Sequence, residues 1–414
     1  MGKRKKYCGL YLREGKSMDD KKRRFTAIIL GLMIFLSNGD NYASATLISN
    51  IAHDLGLTIS AASISITAYM LGYGLFTLVF GPLGDKYGKV RIVLIASIGT
   101  AIFSILGSIA FNLTSLVTFR LINGMFGSGT FPVTIALVGE MYGDKDRHKA
   151  IAGVMSMGLL GSATATIIGG SVAYFASWRM VYLVYGIGEL ILALIMVKTL
   201  ERDKGVRSHL EFGKSYGVAL SNFKFMRLAG LLFLMGFAVF GTFTYAGISL
   251  MDKTGLSILV VGFLLAGYGV GTVFGGRLVA KVKMKLGRAF LLFSGFIGAG
   301  ALLLIESTTS VGLLVLGLFI LGIAFVFIQS TIVSTLQAMI PTMKGTVMSI
   351  ASFNLFVGAA VGTSINAKIL KVASMNRVYV IAALLLFIIG LLSSVYLTHF
   401  EAAERQRAKE KLYA

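Results

Sequence analysis

Three ionisable side chains stand inside runs that are otherwise apolar: Asp40 in "LSNGDNYAS", Arg120 in "LVTFRLING" and Glu189 in "YGIGELILAL". A charge at the centre of a membrane segment costs roughly 2.5–3.5 kcal/mol, so such groups are kept where they are paired or used. Asp40 precedes the expected end of its run at 46 by the same distance that Arg120 follows the start of its run at 114, roughly 9 Å at 1.5 Å per residue. Equal depth permits a pair. Desolvation drives a buried carboxylate toward its neutral form, and a neighbouring guanidinium restores the charge. A carboxylate that moves between those surroundings takes up and releases a proton. The plainer alternative is a static structural ion pair. Glu189 falls near the middle of its run; if it faces lipid it must be protonated, and otherwise it pairs with the third run or lines a lateral opening. A structural or silent role is expected for it.

A second constellation is the turn "GPLGDKYGKVR" (81–91), which sets one acid and several bases between two long apolar runs. Gly81 and Gly88 permit close backbone approach. Asp85 is placed to accept hydrogen bonds from helix-start N–H groups or to pair with a base such as Lys89. Glu140 and Arg147 lie on the same side of the expected membrane. Other chemistries find no footing. Four scattered His and one Cys give no metal-ligand spacing. The chain has no phosphate-binding G-x-x-x-x-G-K-[ST], hydrolase elbow or zinc-helix motif. An enzyme is not expected, nor a cofactor, nor a metal.

The elements that position these residues follow from composition. The chain has 414 residues, 56% hydrophobic and 14% charged, with a mean hydropathy of +0.82. A soluble domain cannot hide that much apolar surface. Runs long enough to span a bilayer lie at about 25–46, 58–80, 91–112, 114–139, 148–174 and 179–199, then at 224–249, 257–280, 288–307, 310–337, 345–369 and 375–398. Each must be helical to satisfy its backbone in lipid. With the N-terminus inside, all of the 39 Lys and Arg fall on the cytoplasmic side except Arg120, Arg179, Lys253, Lys368, Lys371 and Arg377. That bias explains the net charge of +21 without nucleic acid, and the basic tail suits anionic lipid. The expected organisation is a basic cytoplasmic tail (1–24), a six-helix bundle (25–199), a polar cytoplasmic linker (200–223), a second six-helix bundle (224–398) and a cytoplasmic tail (399–414). Gly276 and Leu278 repeat Gly81 and Leu83 at one constant offset, where a duplicated six-span unit would put them, although Asp85 becomes Ala280.

The turn Gly81, Leu83, Asp85, Lys86, Gly88, Lys89 resembles the signature loop of the major facilitator superfamily, G-x-L-x-D-[RK]-x-G-[RK]. "DNYASATLISNIAHDLG" (40–56) resembles the first-span motif of its twelve-span drug/proton antiporter branch. "RLINGMFGSG" (120–129) resembles the fourth-span motif, and "SWRMVYLV" (177–184) the entry to span six. Two departures stand out: Ser49 replaces a usual proline, and "ATIIGG" (165–170) replaces the Gly-Pro-x-x-Gly-Gly associated with export. The second weakens antiport specifically, not transport.

The resemblance implies an all-α polytopic membrane protein of twelve transmembrane helices in two pseudo-symmetric six-helix bundles. It places Asp40 and Arg120 at proton coupling. It makes Gly81, Asp85, Gly88, Lys89, Glu140 and Arg147 a cytoplasmic gate, with simple anchoring of the loop as the alternative for those charges. Asn41, Tyr42, Tyr69, Tyr73, Phe240, Tyr245, Gln329, Phe353 and Asn354 are substrate-cavity candidates. The implied function is proton-coupled efflux of small apolar or amphipathic compounds by alternating access. The alternatives are a carrier for a polar solute such as a sugar, and a non-transporting membrane sensor. The only Trp, Trp178, sits at a span end, which favours the first over a sugar site. The expected partners are a small-molecule substrate, protons and the lipid bilayer, with no nucleic acid. The expected form is a monomer in the cell membrane with both termini cytoplasmic.

Overall fold

The computed structural model describes residues 20–201, 203, 212–340 and 343–413. The basic tail with Cys8 and most of the expected linker lie outside them. Among the described residues twelve long helices follow one another: α1 (Asp20–Asp54), α2 (Ile64–Tyr87), α3 (Lys89–Ser108), α4 (Leu113–Met141), α5 (Asp144–Phe175), α6 (Trp178–Thr199), α7 (Phe223–Thr254), α8 (Ile258–Leu286), α9 (Phe290–Ser307), α10 (Val311–Met339), α11 (Lys344–Val372) and α12 (Met375–Tyr413). Among the described residues there is no strand.

Among the described residues ten continuous helical stretches are long and apolar enough to cross a bilayer, and one of them, Ile258–Ser307, is α8 and α9 run together. α1 is not among the ten. Its middle carries Ser37, Asn38, Asp40, Asn41 and Ser44, which lower its hydropathy and furnish the site described below. The expected end of the first run at 46 is also too early. α1 continues for two further turns to Asp54, with Leu47, Ile48 and Ile51 buried against the rest of the molecule.

The helix pairing of the first half recurs in the second. α1 packs on α5, α2 on α4, α3 on α4 and α6; likewise α7 packs on α11, α8 on α10, α9 on α10 and α12. Glycine makes these approaches possible where no hydrophobic drive separates helix from lipid. Gly72 lies against the α4 backbone at Leu121, and Gly124 against the α2 backbone at Tyr69. In the second half Gly271 meets α10 at Phe319, and Gly322 meets α8 at Tyr268. The four glycines with positive φ repeat too: Gly56 and Gly255 follow the first helix of each half, Gly88 (φ +96°) and Gly287 the second, at one shared offset. The molecule is thus two six-helix bundles of one plan. They meet along two seams, α2 on α11 and α5 on α8.

The two ends of the bundles differ in charge. The described ends of α2 and α8 and the starts of α3 and α9 carry Lys86, Lys89, Arg91, Lys281, Lys283, Lys285 and Arg288, a basic face. At the opposite face Asp54, the last residue of α1, accepts a hydrogen bond from Trp178 Nε1 at 3.0 Å and pairs with Arg179, whose other nitrogen donates to the Ala110 carbonyl at 2.9 Å. Those bonds, Arg179's first, hold the Asp54 carboxyl below the usual carboxylate range. The Trp-Arg entry to α6 therefore clasps the end of α1.

Candidate functional site

Asp40 and Arg120 meet inside the first bundle, each 1% exposed. Arg120 Nη1 donates to both Asp40 oxygens, at 3.2 and 3.3 Å, and to Asn123 Oδ1 at 3.1 Å. Its Nη2 donates to Ser44 Oγ at 2.9 Å. The guanidinium carbon stands over the ring of Tyr69 at 4.4 Å and over that of Tyr182 at 4.8 Å. Asn123, one turn along α4, is fixed in turn by donating to the Thr100 carbonyl at 2.8 Å. Four helices thus hold one cation: α1 supplies charge and hydroxyl, α4 the cation and its amide, α2 and α6 the aromatic faces. Each Tyr ring carries negative potential on its face, so the stack adds to the pair. Asp40 lies much further from the end of α1 than the expected span limits placed it, yet it still meets Arg120.

Glu189 belongs to this cluster. It faces neither lipid nor a lateral opening: it is fully buried, with Asp40 and Arg120 as its charged neighbours. Trp178, Tyr182, Tyr185 and Glu189 are all buried on one face of α6, turned into the bundle. That stripe, at spacings of three and four, was readable in the sequence and marks the inward face.

The cavity lies between the bundles. It is small, about 30 Å³, and is lined by Asn41, Tyr42, Ala45, Ile66 and Met70 of the first bundle and by Phe240, Phe243, Thr244 and Phe356 of the second. α7 is irregular where it forms this wall. Gly236–Phe240 is a π-helical turn, and the helix breaks again at Thr244 and Tyr245. Such wide turns turn side chains off the regular helical face. Phe240 occupies the centre, with ring centroids 5.7 Å from Tyr42, 5.1 Å from Phe325 and 6.2 Å from Phe356.

Of the cavity candidates, Asn41, Tyr42 and Phe240 line this gap, and the others lie elsewhere. Tyr69 turns into the ion cluster beneath Arg120. Tyr73 is stacked on Phe356 at 4.0 Å behind the wall. Tyr245 is buried near the opposite face, donating to Ser63 Oγ at 2.8 Å and within 2.9 Å of the Thr363 carbonyl, so it ties the bundles together there. Gln329 and Phe353 are outside the lining. Asn354 is too, and it spends its amide on the Ile350 carbonyl. Phe356, one helical turn after Phe353, lines the gap instead. Helix rotation about its axis is what span-level reading leaves open.

At the basic face Lys89, not Asp85, is the hub. Its ammonium lies 2.9 Å from Asp85 and 2.9 Å from Glu140; the Lys side chain is 13% exposed, the two acids 73% and 45%. Opposite charges on both sides hold the Lys89 cation between α2 and α4. Gly81 faces Ser349 of α11 across the seam. Gly88 adopts φ +96°, and its α-carbon is covered by Asp203 of the linker. Asp203 caps α3, accepting from the Lys89 N–H at 2.6 Å and the Val90 N–H at 3.0 Å. A carboxylate at a helix N-terminus suits the exposed donors and the helix dipole. Nothing in the linker's composition pointed to that residue. Arg147 lies near the start of α5 on the same face.

This geometry agrees with what the chain is similar to. The family model described as Major Facilitator Superfamily matches residues 30–363. An uncharacterized MFS-type transporter of Bacillus subtilis, YceJ, is 24% identical over 342 residues, covering 80% of this chain and 86% of that one. A triacylglyceride transporter of Mycolicibacterium smegmatis is 28% identical over 185 residues, 44% of this chain and 33% of that protein. A bacterial homolog of the human lysosomal transporter Spinster, in an inward-facing unoccupied conformation, superposes with a TM-score of 0.69 at 16% identity over 92% of this chain and 96% of that one. Two repeated six-helix bundles, the signature turn closing α2 onto α3 and a family match over most of the chain lead to one statement: this protein belongs to the major facilitator superfamily of membrane transporters.

Proposed function

We propose that this transporter is a proton-coupled exporter of small apolar or amphipathic compounds, working by alternating access in the cell membrane with its basic face and both termini in the cytoplasm. The observation that carries the reading is the shared backbone of ion cluster and cavity. On α1, Asp40 serves the cluster and Asn41 and Tyr42 the cavity; on α2, Tyr69 serves the cluster and Met70 the cavity. A compound that presses on Tyr42 or Met70 bears on the helices that hold the Asp40–Arg120 pair. Protonating Asp40 releases Arg120, and release alters the same two helices. That linkage is what an exchanger of proton for solute requires.

The cavity wall supports an apolar cargo. It presents three aromatic rings of the second bundle or its seam, with Asn41, Tyr42 and Thr244 as its polar points. A sugar site would need several more polar groups. Tyr245, Ser63 and Thr363 join the bundles beyond the cavity, which fits a state closed at the opposite face. In this reading Lys89 with Asp85 and Glu140 shapes the basic-face end of the first bundle, where α2 meets α11.

The test is transport into inverted vesicles containing the protein, with a panel of neutral and cationic lipophilic dyes and an imposed pH gradient. Accumulation that follows the gradient and collapses with a protonophore supports the reading. Transport of a sugar panel with no dye transport would replace it by the polar-solute carrier.

A further inference from the structure

The ion cluster contains a mismatch that the Asp40–Arg120 pair alone leaves unexplained. Both carboxylate oxygens of Glu189 are buried and make no hydrogen bond of ordinary geometry, with the Thr100 hydroxyl of α3 as their polar neighbour. In the same cluster Arg120 Nε is a buried donor without an acceptor, and the Tyr185 hydroxyl, one turn from Glu189 on α6, also has no partner. Orphaned buried polar groups are rare and call for a reason. Here two kinds of orphan complement each other: acceptors on α6 and a donor on α4.

Charge counting sharpens the point. The titratable and charged groups facing Glu189 are Asp40 from α1, Arg120 from α4, Tyr69 from α2 and Tyr185 on its own helix. α3 over 92–108 and α5 over 150–173 contain no titratable residue. One cation therefore faces two acids, and Asp40 already holds it. A second bare carboxylate, fully buried with no cation of its own and only a neutral hydroxyl beside it, cannot be sustained, because burying an unpaired charge costs far more than binding a proton.

We propose that Glu189 is a second proton-binding site, which holds the proton while Asp40 keeps Arg120 and gives it up when Arg120 turns to Glu189. The exchange balances. In one state Arg120 is cationic, Asp40 anionic and Glu189 a neutral acid; in the other Asp40 is the neutral acid and Glu189 the anion. One O–H bond breaks on Glu189, one forms on Asp40, and the cluster's net charge stays the same. In that exchange Arg120 turns from Asp40 to Glu189, and its unpartnered Nε is a donor for the new contact. The site rests on the proton-coupling reading of Asp40 and Arg120 but makes its own demand on α6. It gives Arg120 a partner in both protonation states, so the cation is never stranded during turnover.

The experiment is infrared spectroscopy of the full-length protein in lipid, read in the C=O stretching band of a protonated carboxylic acid and titrated with protons alone. At neutral pH the parent shows the band and Glu189→Gln lacks it. Asp40→Asn also lacks it, because Glu189 must then ionise to serve Arg120, and Arg120→Met strengthens it. Thermal unfolding is the second reading. Glu189→Gln unfolds close to the parent, Asp40→Asn somewhat lower, and the double variant far below the sum of the two shifts, since Arg120 has then lost both acids. A band that survives in Glu189→Gln, or additive thermal shifts, overturns the proposal. Since no transported compound is used, these outcomes stand apart from the vesicle assay: a protein that fails to follow a pH gradient but passes here loses the export reading and keeps this site.

Discussion

Replacing Arg120 by Met removes the charge and keeps most of the buried length, so it asks what the guanidinium does for Asp40. The change deletes cation–π contacts to Tyr69 and Tyr182 and hydrogen bonds to Asp40, Asn123 and Ser44. It also removes the cost of burying a cation. Breaking a buried pair by removing one member costs about 3–5 kcal/mol when the other member stays charged. Asp40, 1% exposed, avoids that cost by binding a proton. The folded variant then carries one proton more than the folded parent, while the unfolded chains carry the same number. Stability falls with rising pH wherever the folded state binds more protons, by about 1.4 kcal/mol per pH unit for each proton. The gap between parent and variant should therefore widen by about 2.7 kcal/mol across two pH units above the ordinary carboxylate range, until it reaches the cost of the broken pair. Reversible denaturant unfolding in micelles at a series of pH values measures it. A gap that is constant with pH would refute the reasoning, because Asp40 would then keep the same charge with or without Arg120.

Lys89→Met should cost about 1–2 kcal/mol, since it removes two partly wet ion pairs and leaves two acids facing each other, whereas Asp85→Asn should cost under about 1 kcal/mol because Asp85 is mostly exposed; equal losses in thermal unfolding would take Lys89 out of the centre. Asp54 holds its proton less readily than an ordinary carboxyl, so the clasp it makes is present above the unfolded value of about 3.9 and is lost as pH falls through the lower folded value. Trp178, the sole Trp, reports this directly: its fluorescence should titrate below that value in the parent and stay flat in Asp54→Asn, and a midpoint at or above it would contradict the clasp. Phe240→Leu should weaken apparent affinity for an apolar dye several-fold, about 1 kcal/mol for a lost ring pair, with maximal rate little changed; an unchanged KM would move the cargo elsewhere.

Much of this was legible in the chain before its structure. Composition and the distribution of Lys and Arg specify twelve spans, and the turn at 81–91 specifies the family. Asp40 and Arg120 stood out because lipid tolerates few charges. Glu189 stood out for the same reason, but a span drawn as a line has no faces, and only the packing of α6 on α1 and α3 turns it inward. The same loss of rotation hides that Phe356 rather than Phe353 lines the gap between the bundles, and that Tyr69 turns to the ion cluster while its neighbour Met70 lines the gap. α7 was beyond reach, since its π turn at Gly236–Phe240 changes the register in the middle of a uniformly apolar run. Asp203 was beyond reach as well: a cap supplied from a linker depends on where the linker lies.

The most direct test of the account is proton movement accompanying solute movement. The protein is reconstituted in liposomes with a pH-sensitive fluorophore trapped inside, and a dye found to be transported is added to the bath. The parent should move protons against the dye, and exchange of labelled for unlabelled dye should also proceed. Asp40→Asn, shown to be folded by its thermal transition, should retain the exchange and lose the proton movement. A folded Asp40→Asn protein that moves protons as the parent does would contradict the account, because coupling would then lie outside the pair that α1 and α4 hold together.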